Sequence, residues 1–197
     1  MSKILRTAST VFVSSLVLIG TVACAPASTS TPSVAPSSSA SPSASASASP
    51  SASAISNVTD TAAQLRFLIE EEKLAYDSYT AMYAKWGARV FGNILKSEAN
   101  HQSQVLLLLN ARGIADPRSN SVGVFKNADL QALYDQLMVK GVKSAQDAYE
   151  VGIAIEERDI ADITDMLATA DDADVIATLE RLRQGSENHL RAFNNQI

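Results

Sequence analysis

From residue 59 onward apolar and polar positions recur at spacings of three and four, the signature of amphipathic helices. Four long stretches and one short one carry it. The first opens near Thr59-Asp60, either of which can cap a helix, and runs to Trp86, where Gly87 stops it. Its apolar stripe is Leu65, Leu68, Ala75, Tyr79 and Met82. The second extends from about Arg89 to Arg112, with Phe91, Ile94, Val105 and Leu108 on its stripe and Gly113 as its stop. The third follows Ser144, a good cap, and continues to about Ala168 through Tyr149, Ile153, Ile160, Ile163 and Leu167. The fourth begins near Asp172 and carries Val175, Leu179, Leu182 and Phe193 toward the C-terminus.

No strand pattern competes, so the expected class is all-α. The first two long helices join across Gly87-Ala88 and the last two across Thr169 to Asp171, so each pair must form an antiparallel hairpin. Between the hairpins lie about thirty residues, Ile114 to Lys143, too many for a bare loop in a compact domain. Asn127 to Lys140, ended by Gly141, supplies a short helix there. Each stripe keeps a heptad rhythm, which suits helices crossing at about 20°. The expectation is an antiparallel four-helix bundle with one long crossover that carries an extra helix.

Each stripe is interrupted midway by polar residues. Glu72 breaks the first, Glu98 and His101 the second, Glu156 the third, and Ser186 and His189 the fourth. A lone carboxylate in a bundle core costs several kcal/mol, so each break needs a partner. Breaks at matching depths on all four helices imply that they meet. The chain has two histidines, and both fall on these stripes. Glu98 and His101 stand at i and i+3, so both project to one face from adjacent turns. A divalent metal accounts for the pattern: oxygen and imidazole ligands suit iron or manganese, with zinc as a further candidate. The blander account is a buried hydrogen-bonded network tying the helices together. Tyr76 and Tyr79 lie one and two turns beyond Glu72, where core packing competes with hydrogen bonding to a ligand. Gly185, inside the last helix, either permits close helix approach beside the site or marks a kink. Glu70, Glu71 and Glu157 flank the inward positions and read as surface charges.

Charge and the N-terminal third change the picture next. Sixteen basic residues against 21 acidic ones give a formal charge of −5, with no basic stripe, which argues against nucleic acid as a partner. Residues 1–23 read as a signal peptide: Lys3 and Arg6 precede an apolar run, Val11 to Val22, too short to span a bilayer comfortably. The run ends at Thr21-Val22-Ala23-Cys24, which resembles a bacterial lipobox, with Thr21 where an aliphatic residue is usual. That resemblance implies a lipidated Cys24 and a protein held at the outer face of the cell membrane; cleavage after an alanine is the alternative. Cys24 is the only cysteine, so no disulfide braces the fold. Residues 24–56 are almost wholly Ala, Ser, Pro and Thr and read as a disordered linker, with a reach between roughly 30 and 100 Å. The folded domain is then 57–197.

Together these features resemble the ferritin-like, rubrerythrin-like di-iron carboxylate proteins. Their pattern is a Glu on helix one, Glu-x-x-His on helix two, a Glu on helix three and Glu-x-x-His on helix four. The match here is Glu72 within EEEKLAYD, Glu98 and His101 within SEANH, Glu156 within IEERDIAD, and His189 within GSENHLRAF. The domain is most similar to a family of exported bacterial ferritin-like domains of undefined activity. Ser186 stands where the fourth Glu belongs, which leaves Asp159 and Glu187 as candidates for the missing carboxylate. The resemblance implies two irons, or manganese or zinc, and ferroxidase-like or peroxidase-like chemistry with dioxygen or peroxide. A separate electron donor would be required, and a homodimer is compatible. The other class is a non-catalytic metal-binding or interaction bundle at the cell surface.

Overall fold

The computed structural model describes residues 52–197, with side chains from residue 60 onward. The expected signal peptide, Cys24 and most of the linker lie outside the described residues. Five helices follow: α1 (Ala52–Trp86), α2 (Arg89–Ala111), α3 (Ala128–Gly141), α4 (Ala145–Thr169) and α5 (Ala173–Asn194). Among the described residues there is no strand, and no helix is long and apolar enough to cross a membrane.

Local chemistry sets most boundaries. Gly87 and Gly113 both adopt positive φ, and their backbone amides close the ends of α1 and α2 on Tyr83 and Asn110 carbonyls. Asn127 Oδ1 accepts from the Asp129 and Leu130 amides at the start of α3, and Ser144 Oγ accepts from the Asp147 amide at the start of α4. The start of α1 differs from expectation. The helix runs through Thr59 and Asp60 and opens at Ala52, inside the stretch read as linker. Nothing after Pro50 breaks a helix, and alanine is its strongest former.

α1 packs against α2 and α4, and α5 against α4 and α2, so the four long helices form a ring. Cross-contacts give their directions. Gln64 bonds Thr169 while Tyr79 reaches Gly152, so α1 and α4 are antiparallel. Arg112 meets Asp172 and Asp174 while Glu98 meets His189, so α2 and α5 are antiparallel too. The crossover thus carries the chain the length of the bundle, and α3 lies against α1 and α4.

The apolar interior is in two parts. One cluster centres on Tyr79, Met82, Phe91, Val151 and Phe193; the other on Leu65, Leu68, Leu109, Ile163 and Leu182. The polar residues that interrupt the stripes fill the layer between them. The stripes of α1, α2 and α5 are buried as predicted. α4 is rolled relative to its predicted stripe: Ala148, Gly152, Ile155 and Met166 face inward, whereas Tyr149, Ile153, Ile160 and Leu167 sit at the flank. Gly152 fixes the roll, because a Cβ there would stand 2.7 Å from the Phe193 ring.

α1 is buried on a second face as well. Glu70 and Glu71, expected at the surface, are both buried. Glu70 accepts the backbone amides of Lys126 and Asn127 at 2.6 and 3.0 Å and so pins the crossover to α1. Lys73, paired with Asp77, donates to the Ser121 carbonyl at 3.0 Å. Polar residues on this flank face a folded loop rather than water. Glu157 is exposed, as expected.

Candidate metal centre

The interrupting residues converge. On one side His101 Nδ1 lies 3.2 Å from Glu72 Oε2 and 3.7 Å from Glu98 Oε2. On the other, His189 Nδ1 lies 2.8 Å from Glu98 Oε1 and 3.5 Å from Glu156 Oε1. Glu98 therefore belongs to two groups, Glu72–Glu98–His101 and Glu98–Glu156–His189, each with its ligand atoms within 4.8 Å of one another. The two imidazoles are stacked, with ring centroids 5.5 Å apart. All five residues are buried. The i, i+3 spacing on α2 delivers Glu98 and His101 from adjacent turns, while antiparallel packing brings α5 across from α2.

Several atoms here lack ordinary partners. Glu72 Oε1, Glu98 Oε1, Asp159 Oδ1 and His189 Nδ1 are buried without a hydrogen bond. Glu98 Oε1 and His189 Nδ1 are close but not aligned for one, as two atoms directed at a common third point would be. Buried polar atoms are seldom left idle, and four such atoms in one layer fit a cation-binding site. The donor set fits too. Glu72, Glu98, Glu156 and Asp159 bring four negative charges, the complement of two divalent ions. None of the four is paired with a lysine or arginine among the described residues.

Electrostatics point the same way. Burial, and then the neighbouring charges of Asp159 and Glu98, hold Glu72 well above the usual carboxylate range. Burial pushes Glu156 up to about 8, although the neighbouring His189 imidazole opposes this. Burial likewise raises Asp159 to about 7 against the pull of the Ser186 hydroxyl. His189 would be lowered by burial, but the Glu156 and Glu98 carboxylates outweigh it and raise it to about 10. His101 is lowered, by burial above all. Carboxylates and imidazoles packed this closely titrate as a group, and a cation bound among them would displace protons.

Supporting groups surround the layer. Tyr79 O–H donates to Glu156 Oε1 at 2.6 Å, so this tyrosine packs in the core and also holds a carboxylate. His101 Nε2 lies 3.4 Å from Ser97 Oγ, a partner on the side away from the carboxylates that the sequence reading passed over. Ser97 precedes Glu98 directly, and its i, i+4 spacing to His101 was the available signal. A Cβ on Gly185 would stand 2.5 Å from His101 Nε2, so Gly185 is the close approach of α5 to the site.

The two candidates for the missing carboxylate separate. The roll of α4 buries Asp159, whose Oδ2 accepts from Ser186 Oγ at 2.5 Å. Ser186 thus stands where a Glu was expected and holds a carboxylate from the facing helix. Glu187 is half-buried at the flank and belongs to neither group. Tyr76 is not brought to the centre: it is half-buried in a cleft between α1, α2 and the crossover, beside Lys73 and Ser121. Asn188 and Arg191, on the same helix as His189, bond each other at the surface and not the centre.

Uncharacterized protein MJ0754 of Methanocaldococcus jannaschii is 45% identical over 125 residues, which are 63% of this chain and 68% of the relative. The crystal structure of hypothetical protein MJ0754 from Methanococcus jannaschii is similar with a TM-score of 0.67 at 42% identity, covering 68% of this chain and 77% of that one. Residues 61–197, which hold every residue of the polar layer, match a family described as an uncharacterized protein domain, DUF2202, and the chain belongs to that family.

Proposed function

We propose that this is an extracytoplasmic, ferritin-like metal protein whose polar layer holds two divalent ions, iron foremost, and acts on dioxygen or peroxide. The observation that carries the reading is the pair of carboxylate–histidine groups sharing Glu98, with buried ligand atoms left idle. Two antiparallel hairpins joined by one long crossover support the ferritin-like assignment. His101 with Glu72 would serve one ion, His189 with Glu156 the other, and Glu98 both. Asp159, held by Ser186, completes the charge balance.

Bound there, two redox-active ions would supply electrons to an oxygen species. The chain's own residues orient and enclose. Ser97 fixes His101, and Tyr79 holds one oxygen of Glu156. The two apolar clusters shut bulk water out along the bundle axis. Residues 57–197 contain no cysteine, so multiple turnover would draw electrons from a separate donor. The basic n-region, the apolar run and Cys24 support export and a lipid anchor.

The test is elemental analysis of the purified protein, without a histidine tag, after anaerobic loading with iron(II). About two irons per chain, oxidised on exposure to air, is the expected result for a two-ion site. One observation favours a second reading: Asp159 lies outside both ligand groups. One retained ion, with no reaction toward air, would establish that single-metal, non-catalytic alternative.

A further inference from the structure

Glu71 precedes the ligand Glu72 on α1, yet it is only 3% exposed. Its Oε1 accepts from Arg158 Nε at 3.2 Å, while its Oε2 has no hydrogen-bond partner. Asp162, one turn beyond Arg158 on α4, shares that Nε, with its Oδ2 also 3.2 Å away. Asp159 is the third carboxylate of this group, with Oδ1 idle, and its charge and that of Asp162 act on Glu71. Along the α1–α4 seam the Asp162 side chain is 30% exposed and Glu71 4%, while Asp159, buried as well, lies beside the centre.

Arg158, at the outer end, is 41% exposed and lies against the Phe67 ring. It is the one cation bonded to this group among the described residues, and it meets Glu71 and Asp162 through Nε. With Asp159 counted at the centre, Glu71 and Asp162 outnumber Arg158 by one negative charge, which draws a cation to the seam. Other approaches to the centre differ. The α2–α5 seam presents Arg181, bonded to Gln104 and Thr178. The α1–α2 side is covered by Gln102, which Arg118 holds at 2.7 Å. Above and below lie the apolar clusters.

We propose that the α1–α4 seam is the path by which a divalent cation reaches the centre, with Glu71 as a transit site. Asp162 meets the ion at the surface, Arg158 swings aside, Glu71 holds the ion, and Asp159 hands it inward. The path rests on the metal-centre reading above. Buried carboxylate oxygens without hydrogen-bond partners, on Glu71 and Asp159, suit a relay, because each step replaces water that the ion has lost. A charged cleft also raises the local concentration of its counter-ion.

Stopped-flow mixing of the metal-free protein with cobalt(II), followed by the metal's visible absorption, tests the path. Glu71→Gln is expected to slow both loading and chelator-driven release by about tenfold, with stoichiometry and Kd unchanged. Arg158→Gln, at an exposed position, is expected to load faster. Asp162→Asn, nearer the surface, carries the same expectation as Glu71→Gln should that variant fold poorly. Loading of both carboxylate variants at the wild-type rate would overturn the path and leave the centre standing. So would weaker binding at an unchanged loading rate, which would make Glu71 a plain ligand. A folded wild-type protein that takes up no cobalt would overturn the centre and the path together.

Discussion

Replacing Gly185 with alanine measures how closely α5 must approach His101. In an ordinary helix interior this change stabilises, by about 1 kcal/mol, because alanine has the higher helix propensity. Here the new Cβ would stand 2.5 Å from His101 Nε2 and 2.7 Å from its Cε1. Contact at roughly 3.5 Å requires the ring to retreat by about 1 Å. Its freedom is small, since Nδ1 faces Glu72 at 3.2 Å and the ring stacks on His189. Overpacking of this kind costs about 1–3 kcal/mol, so the metal-free protein should end between unchanged and about 2 kcal/mol less stable. Metal ligation is less forgiving, because ligand distances tolerate only about 0.2 Å. A displaced His101 should weaken cobalt(II) or zinc(II) binding by about 10- to 100-fold. Competition titrations give the affinity, and melting curves with and without metal give the stability. A Gly185→Ala protein that melts a few degrees higher and binds metal like wild type would refute the argument, since His101 would then not be wedged against α5.

Three further outcomes follow from the same layer. Glu156 and Asp159 are raised to about 8 and about 7 in the folded state, and His189 to about 10, so each contributes stability that is lost as pH rises through those values. The lowered His101 acts in the opposite sense, but only below its unfolded value of about 6.5. The metal-free protein should therefore melt lower at pH 8 than at pH 6.5, whereas metal affinity should rise over the same interval; a higher melting point at pH 8 contradicts the buried proton-sharing layer. Tyr79→Phe removes the donor to Glu156 and should cost about 1.5–3 kcal/mol while lowering metal affinity; calorimetry showing an unchanged melting point would mean that this bond is unimportant. Asp159→Asn should reduce bound metal or its affinity and Glu187→Gln should not, and elemental analysis with the reverse pattern would return the missing carboxylate to α5.

Much of this was written in local sequence. The spacing of Leu65, Leu68, Tyr79 and Met82 places them on one helical face whatever the neighbours do, and Gly87, Gly113, Asn127 and Ser144 stop or cap helices through their own backbone and side-chain chemistry. Loop length then left one way to pair the helices into hairpins. The interruptions at Glu72, Glu98, His101, Glu156 and His189 marked the polar layer because an ionisable group inside an apolar stripe demands company.

What the sequence could not supply was the roll of each helix and what covers its flanks. α4 has apolar residues over a wide arc, so more than one stripe can be drawn on it; contact between Gly152 and Phe193 selects the one that buries Asp159. Glu70 and Glu71 read as surface charges until the crossover and α4 close over them. The pairing of Ser186 with Asp159, on helices 27 positions apart, likewise exists only after packing. Periodicity and capping are properties of a few neighbouring residues, which a linear chain already contains. Roll, cover and convergence are settled by side chains distant in sequence competing for the same space, and only the folded molecule decides that competition.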